Sequence, residues 1–361
     1  MTLKTEISSE VNEKDWNNLL LKNSASTAYQ TANWPKIYQH AYDSKPVYIR
    51  ILSENGETLG QLASVIHTKL FWQDANIISS FIGKKFNLRS VFNWFYGPII
   101  HNNEKQDEIL ATILNAIRKT SKKEKITMVR GISPPISCNF SNQEFQNSNY
   151  GIESWSTYIT HLDLNSDELY DSLNKKIRYD IRKSEQNQLQ LKIVKNRDEM
   201  DDYYKIKLEE KKKYGINIKP NPLFYDAHWE FMFKRGYEKL FLVKYQDEVI
   251  GGLFGVIFNN YFLQHGVGNS EKTQLLGGTF LTWNALKWAI ENKLRYFDFG
   301  GANPSPSSKK ESKIDFYKSK WGGRQYPYSL YTKIYSKIKI KISSLVKNPK
   351  RSTRIIQSLK T

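Results

Sequence analysis

Apolar positions along the chain repeat with two periods, and the switches between them mark the elements. Alternation of apolar and polar residues predicts strands at 47–52, 59–66, 77–82, 92–100, 126–130 and 156–164. Asn55-Gly56 separates the first two as a hairpin turn. Helical spacing appears at 12–21, where Trp16, Leu19 and Leu20 fall on one side, and at 104–120, where Ile109, Ile113, Leu114 and Ile117 do so. Pro35 suits an early position in another helix. A helix from 166, with Ser166 as N-cap, places Leu169, Leu173, Ile177 and Ile181 in one buried stripe. Helices are also predicted at 198–214 and 221–236.

The densest pattern runs over 240–323. It reads as a strand at 240–243, a turn at Gln246-Asp247-Glu248, and strands at 249–258 and 261–267. The loop Gln274-Leu275-Leu276-Gly277-Gly278-Thr279, a helix at 280–291 and a strand through Arg295 to Gly301 follow. Its opening has a counterpart upstream. Aligning Gly60 with Gly251, an offset of 191 residues, superposes strand, acidic turn and a second strand with an early glycine. Glycine inside a strand marks a bulge or a close backbone approach. The repeat argues for two similar domains, 1–150 and 151–330, divided near the polar run after Pro134-Pro135, with a basic amphipathic tail at 331–361.

Composition adds an anionic partner to this picture. The formal charge is +18, and after Asp315, the last acidic residue, twelve Lys and Arg residues follow. That field suits nucleic acid, a phosphorylated substrate or an acidic lipid surface. In the tail, Ile334, Ile338, Ile342 and Leu345 share a helical side among lysines, the form of a helix lying on an anionic membrane; RNA contact is the competing reading. One cysteine, Cys138, excludes an internal disulfide and a cysteine-rich zinc site. With no apolar secretory segment among the first thirty residues and no run long enough to span a bilayer, a cytoplasmic protein is expected, peripheral on the inner membrane face where the tail binds.

Strand, acidic turn, strand, strand, loop, helix, strand is the order of the acyl-transferring part of the GNAT fold. The strand ending Phe297-Asp298-Phe299-Gly300-Gly301, followed by Tyr317-Lys318-Ser319-Lys320-Trp321-Gly322-Gly323, resembles the FemAB family, the peptidoglycan-bridge aminoacyltransferases. The segments Tyr29-Gln30 to Trp34, Phe95-Tyr96-Gly97-Pro98 and Lys176 to Lys183 are similar too. The resemblance implies a mixed α/β fold of two tandem GNAT-like domains, each a central mixed sheet flanked by helices, the first on the acceptor side and the second carrying acyl transfer. It implies transfer of an aminoacyl group from aminoacyl-tRNA to a phosphate-bearing or lipid-linked amine of a cell-envelope precursor. Tyr317 stands where that family has phenylalanine, and 198–214 is too short for the helical arm of some bridge enzymes.

Acyl transfer to an amine needs an activated acyl group, a free amine and stabilisation of the oxyanion, with no covalent nucleophile, metal or bound cofactor. Lys318, which matches the family's motif lysine, is positioned to aim an ammonium at the acyl carbonyl or a donor phosphate. Asp298 is placed to accept the amine proton, to hold Lys318, or to cap the Gly300-Gly301 loop. His265, on the strand at 261–267, is the third catalytic candidate, as base. Arg178 and Arg182, one turn apart, suit a phosphate-bearing substrate; Tyr317, Trp34 and Tyr96 complete the substrate-binding candidates. Gln274, Gly277, Gly278 and Thr279 resemble a coenzyme A pyrophosphate loop, with Thr279 bulkier than the usual last residue. They carry the alternative reading, an acyl-CoA-dependent N-acyltransferase acting on a sugar or peptide amine. A non-catalytic basic protein binding RNA or membrane is the third.

Overall fold

The structure, a computed structural model, describes residues 3–67, 90–136, 141–213, 221–270, 272–306, 309–340 and 342. The strand expected at 77–82, Cys138 and Leu345 lie outside the described residues. The chain divides into two compact units: Met1–Glu153 with Asn221–Ala227 and Ser329–Thr361, and Ser154–Pro220 with His228–Tyr328.

The first stretch of chain carries β1 (Lys4–Ser8), α1 (Glu13–Leu21), α2 (Trp34–Tyr42), β2 (Lys45–Leu52), β3 (Thr58–His67), β4 (Val91–Asn93), β5 (Ile99–Ile100), α3 (Gln106–Lys123), β6 (Met128–Ile132) and α4 (Gln143–Asn147). From there the order is β7 (Gly151–His161), α5 (Ser166–Ser172), α6 (Lys175–Gln186), β8 (Gln190–Ile193), α7 (Met200–Lys213), α8 (Pro222–Phe231), β9 (Glu238–Tyr245), β10 (Glu248–Phe258) and β11 (Tyr261–Asn269). The last elements are α9 (Gly277–Glu291), β12 (Tyr296–Ala302), α10 (Lys309–Ser319) and β13 (Arg324–Ile334).

Unit 1 orders its strands β1-β2-β3-β4-β6-β13, antiparallel except that β4 runs parallel to β6 across the α3 crossover. Unit 2 orders them β8-β9-β10-β11-β12-β7, and its parallel pair is β11 with β12, joined by α9. The mixed α/β fold is therefore built twice. The repeated hairpins even share a defect. In β2–β3 the register slips between Ile51↔Gly60 and Leu52↔Thr58, leaving Leu59 as the extra residue. In β9–β10 it slips between Gly251↔Val243 and Val249↔Lys244, leaving Ile250. Each bulge immediately precedes the glycine matched by the 191-residue offset. A Cβ on Gly60 would lie 2.6 Å from Ile109 of α3, so the bulge sits where helix and strand approach closely.

Several elements differ from the pattern-based expectation. The run at 92–100 is not one strand: β4 stops at Asn93, Tyr96 takes φ +46°, the Gly97-Pro98 bond is cis, and only Ile99–Ile100 pair again, with β3. Around 166 the N-cap is Asn165, whose side chain accepts from the Asp167 and Glu168 amides while Glu168 reaches back to the Asn165 amide. That helix also breaks at Leu173, and Asn174 caps α6. The apolar stripe survives the break, because Leu169, Leu173, Ile177 and Ile181 are all buried in the unit 2 core with α9. Residues 331–334, assigned by their pattern to the tail, continue β13 and pair with β6.

Candidate active site

The second unit's sheet is pinned open at one place. Strands β11 and β12 pair in parallel only over Tyr261–Leu263 and Tyr296–Asp298. Beyond Leu263, β11 carries a bulge against β10, where Phe254 pairs with Gly266 and Gly255 with Gln264, leaving His265 as the extra residue. Beyond Asp298, β12 turns through Gly300 at φ +76°, a conformation that favours glycine. Phe262 and Phe297 stack below the fork, with ring centroids 4.6 Å apart, and fix the closed end.

Past the fork lies a cavity of about 340 Å³. It is lined by Gln264 and Asn269 of β11, by Gly277, Gly278 and Thr279 of the α9 start, and by Tyr317 and Lys318 of α10, among others. The α9 N-terminus presents unpaired backbone N–H groups there. Gln264 Oε1 is buried and accepts no hydrogen bond.

Asp298 and Lys318 meet at the Gly300 turn rather than at each other. Asp298 is fully buried. Its Oδ1 accepts from Thr157 Oγ1 and, at 2.7 Å, from the Gly300 amide, while Oδ2 accepts from the Tyr261 hydroxyl. Burial pushes its pKa up, against those three hydrogen bonds and the Lys318 charge, which pull it down. Lys318 Nζ donates to the carbonyls of Gly300 at 2.9 Å and Gly301 at 2.8 Å. Burial lowers its pKa, opposed by Asp298 and Asp315. Of the three readings of Asp298, the cap on the Gly300 loop describes this geometry. Two of the three Lys318 N–H groups are occupied by the same turn, which leaves one at the cavity wall.

The other candidates divide between this cavity and elsewhere. Tyr317 lines it, its hydroxyl 3.4 Å from Thr282 Oγ1, and burial raises its pKa. Gln274 is exposed and does not line it. His265 faces away, its ring 5.8 Å from Phe254 and 6.0 Å from His228. Burial, with His228 beside it, lowers its pKa to about 3, so it is neutral at physiological pH. His228 Nδ1 lies 2.6 Å from Glu238 Oε1, both side chains without exposure. Arg178, half-buried, sits 3.9 Å from Asp171, and Arg182 is exposed; neither lines the cavity. Trp34 and Tyr96 are buried in unit 1, both edge-on to Tyr29 at 4.5 and 5.3 Å. Among the described residues no group of three or more His, Cys, Asp or Glu is arranged to hold a metal, and no helix is long and apolar enough to cross a membrane.

Sequence reading missed Thr157, Tyr261 and Gln264. Thr157 and Tyr261 are strand residues whose polar ends find Asp298 only after β7, β11 and β12 are assembled in that order. Gln264 carried one signal, a lone amide in an otherwise apolar strand start.

Unit 1 repeats the fork but fills it. Matching β4 and β6 onto β11 and β12 puts Trp94 at the position of Gln264 and Gly131 at that of Phe299. The Trp94 indole is buried, donates to the Gly97 carbonyl at 2.9 Å, and occupies the space beside Gly131, where a Cβ would fall 1.9 Å from the ring.

Comparison with known proteins agrees with this architecture. Residues 171–318 match the family model of an acetyltransferase (GNAT) domain. The crystal structure of FemX is similar over 95% of this chain and 100% of that one, with a TM-score of 0.71 at 12% identity. A tandem GNAT protein from the clavulanic acid biosynthesis pathway matches over 93% and 99%, with TM-score 0.57 and 11% identity. L-PGS from Bacillus licheniformis matches over 95% and 98%, with TM-score 0.54 and 10% identity. No curated protein matches the sequence. Residues 171–318 therefore carry a GNAT acetyltransferase-type domain, and the chain as a whole shares its fold with FemX and with a tandem GNAT protein.

Proposed function

We propose that this protein is an N-acyltransferase of FemAB type, transferring an aminoacyl group from aminoacyl-tRNA to an amine of a cell-envelope precursor. The observation that carries the reading is the Lys318 ammonium at the wall of the forked cavity, with two N–H groups on Gly300 and Gly301 and the third unassigned. In the reaction the acceptor amine attacks the ester carbonyl. The new C–N bond forms as the ester C–O bond breaks, and the proton lost by nitrogen leaves on the ribose hydroxyl. Lys318 donates to the carbonyl oxygen as it gains negative charge, an effect worth roughly 10²–10³ in rate for a single donor. Asp298 acts as a positioning residue that fixes the Gly300 turn on which Lys318 rests. His265, the candidate base, is a neutral imidazole on the opposite side of β11, and a pKa lowered to about 3 makes it a weak proton acceptor, so the reaction is written without it.

A second reading, transfer from acyl-CoA, is favoured by the α9 N-terminus and Gly277-Gly278 at the same cavity, and by the acetyltransferase description of the matching family. The arginines of α6 and the basic C-terminal segment support a phosphate-bearing acceptor, tRNA and an anionic cytoplasmic membrane face as partners. Incubating the full chain with radiolabelled aminoacyl-tRNA or acyl-CoA and an amine acceptor separates the donors. Label passing to the acceptor from tRNA supports the first reading; label from coenzyme A alone replaces it with the second.

A further inference from the structure

Unit 1 contains a second cavity, of about 520 Å³, that the transfer chemistry does not use. Asp15, Asn18 and Lys22 of the α1 region, Arg50 of β2, Glu57 of the hairpin and His101 line it. Arg50 is the unusual member. Its guanidinium carbon lies 5.2 Å from the centroid of the Trp16 indole, itself fully buried and held by a 2.8 Å bond from Nε1 to the Gln30 carbonyl. Arg50 Nε is buried and donates to nothing, and among the described residues Arg50 makes no ion pair. A buried guanidinium N–H without an acceptor is costly, and with Nε buried over a fixed indole it is the terminal N–H groups that remain for a planar oxyanion.

The surroundings narrow the ligand. Lys22 is close enough to help burial lower the His101 pKa to about 4, which leaves His101 neutral and two permanent cations at the site. Asp15 and Glu57 are exposed at the same cavity, and neither ion-pairs with Lys22 or Arg50. Acids at the mouth disfavour a polyanion and suit a ligand with a cationic end.

We infer that this cavity binds a small zwitterion of the α-amino-acid class, its carboxylate on the Arg50 fork and its ammonium toward Glu57 and Asp15. The inference is independent of the transfer reading, since no residue of the forked cavity takes part. Isothermal titration of the full chain with glycine, acetate and inorganic phosphate tests it, with Arg50→Gln, Arg50→Lys and Glu57→Gln alongside and melting curves to verify folding. Expected are glycine binding tighter than acetate, at least tenfold weakening by both Arg50 variants, and loss of the glycine preference in Glu57→Gln. Absence of glycine binding to the wild-type chain, binding unchanged in Arg50→Gln, or phosphate binding tighter than glycine would each overturn it.

Discussion

Replacing Asp298 by alanine tests the forked site at its anchor. The carboxylate receives three internal hydrogen bonds, from Thr157, Tyr261 and the Gly300 amide, with no exposure to water. Alanine strips all three donors of their acceptor, and each unsatisfied buried group costs ~1–3 kcal/mol. Relief of the buried charge offsets part of this, so a net loss of roughly 3–6 kcal/mol is expected, a large share of a domain's ~5–15 kcal/mol. Asp298→Asn would present an N–H where Tyr261 now donates, and a loss of ~1–2 kcal/mol follows from that single mismatch. Hydrogen exchange at the Gly300 amide reads the anchor locally. Losing a charge-assisted bond of ~1.5–3 kcal/mol should accelerate exchange there about 10- to 100-fold, with the β9 amides far less affected. Unchanged Gly300 protection in Asp298→Ala, with an unchanged urea midpoint, would refute the placement of Asp298 as the clamp of this turn.

Gly300→Ala should slow transfer and destabilise unit 2 by ~1–2 kcal/mol, since φ is +76° and the new Cβ would lie 3.3 Å from the Gln264 carbonyl oxygen; kinetics and a melt measure both. In unit 1, Gly131→Ala would drive a Cβ to 1.9 Å from the Trp94 ring, and a fall of several degrees in melting temperature is expected. Acidification should destabilise the chain through its buried histidines. His67, His228 and His265 are held at about 3 and His101 at about 4 by burial, against an ordinary 6.5. The unfolded chain therefore binds more protons between those values, and stability falls as pH drops from about 6.5 toward 3. Urea midpoints across that range check it, and His67→Gln should flatten the slope.

Much of the fold was legible because it depends on local periodicity. The hairpins, the helix in the second parallel crossover and the duplication all follow from apolar spacing and two glycines, and both bulges fall next to those glycines. The break at Leu173 was not legible, because the stripe Leu169 to Ile181 keeps its spacing through it and only the capping by Asn174 reveals the stop. At the site, the motif carrying Asp298 and Lys318 was visible, whereas their meeting point was not. That the two hold the N–H and the carbonyl of the same glycine, in successive peptides, depends on a left-handed turn and on the fork between β11 and β12, both tertiary features. The closure of the unit 1 fork by Trp94 was hidden for the same reason, since a tryptophan and a glycine 37 residues apart become neighbours only in the folded sheet.

The central claim, that Lys318 in the unit 2 fork serves acyl transfer, meets its most direct test in the kcat/KM of Lys318→Met and Lys318→Arg with whichever donor the wild-type chain uses. Circular dichroism monitors folding of both. The predicted result is a loss of about 100-fold or more for methionine and a smaller loss for arginine, with both variants folded. Turnover by folded Lys318→Met within about threefold of wild type, far short of the roughly 100-fold cost of losing one oxyanion donor, would contradict it.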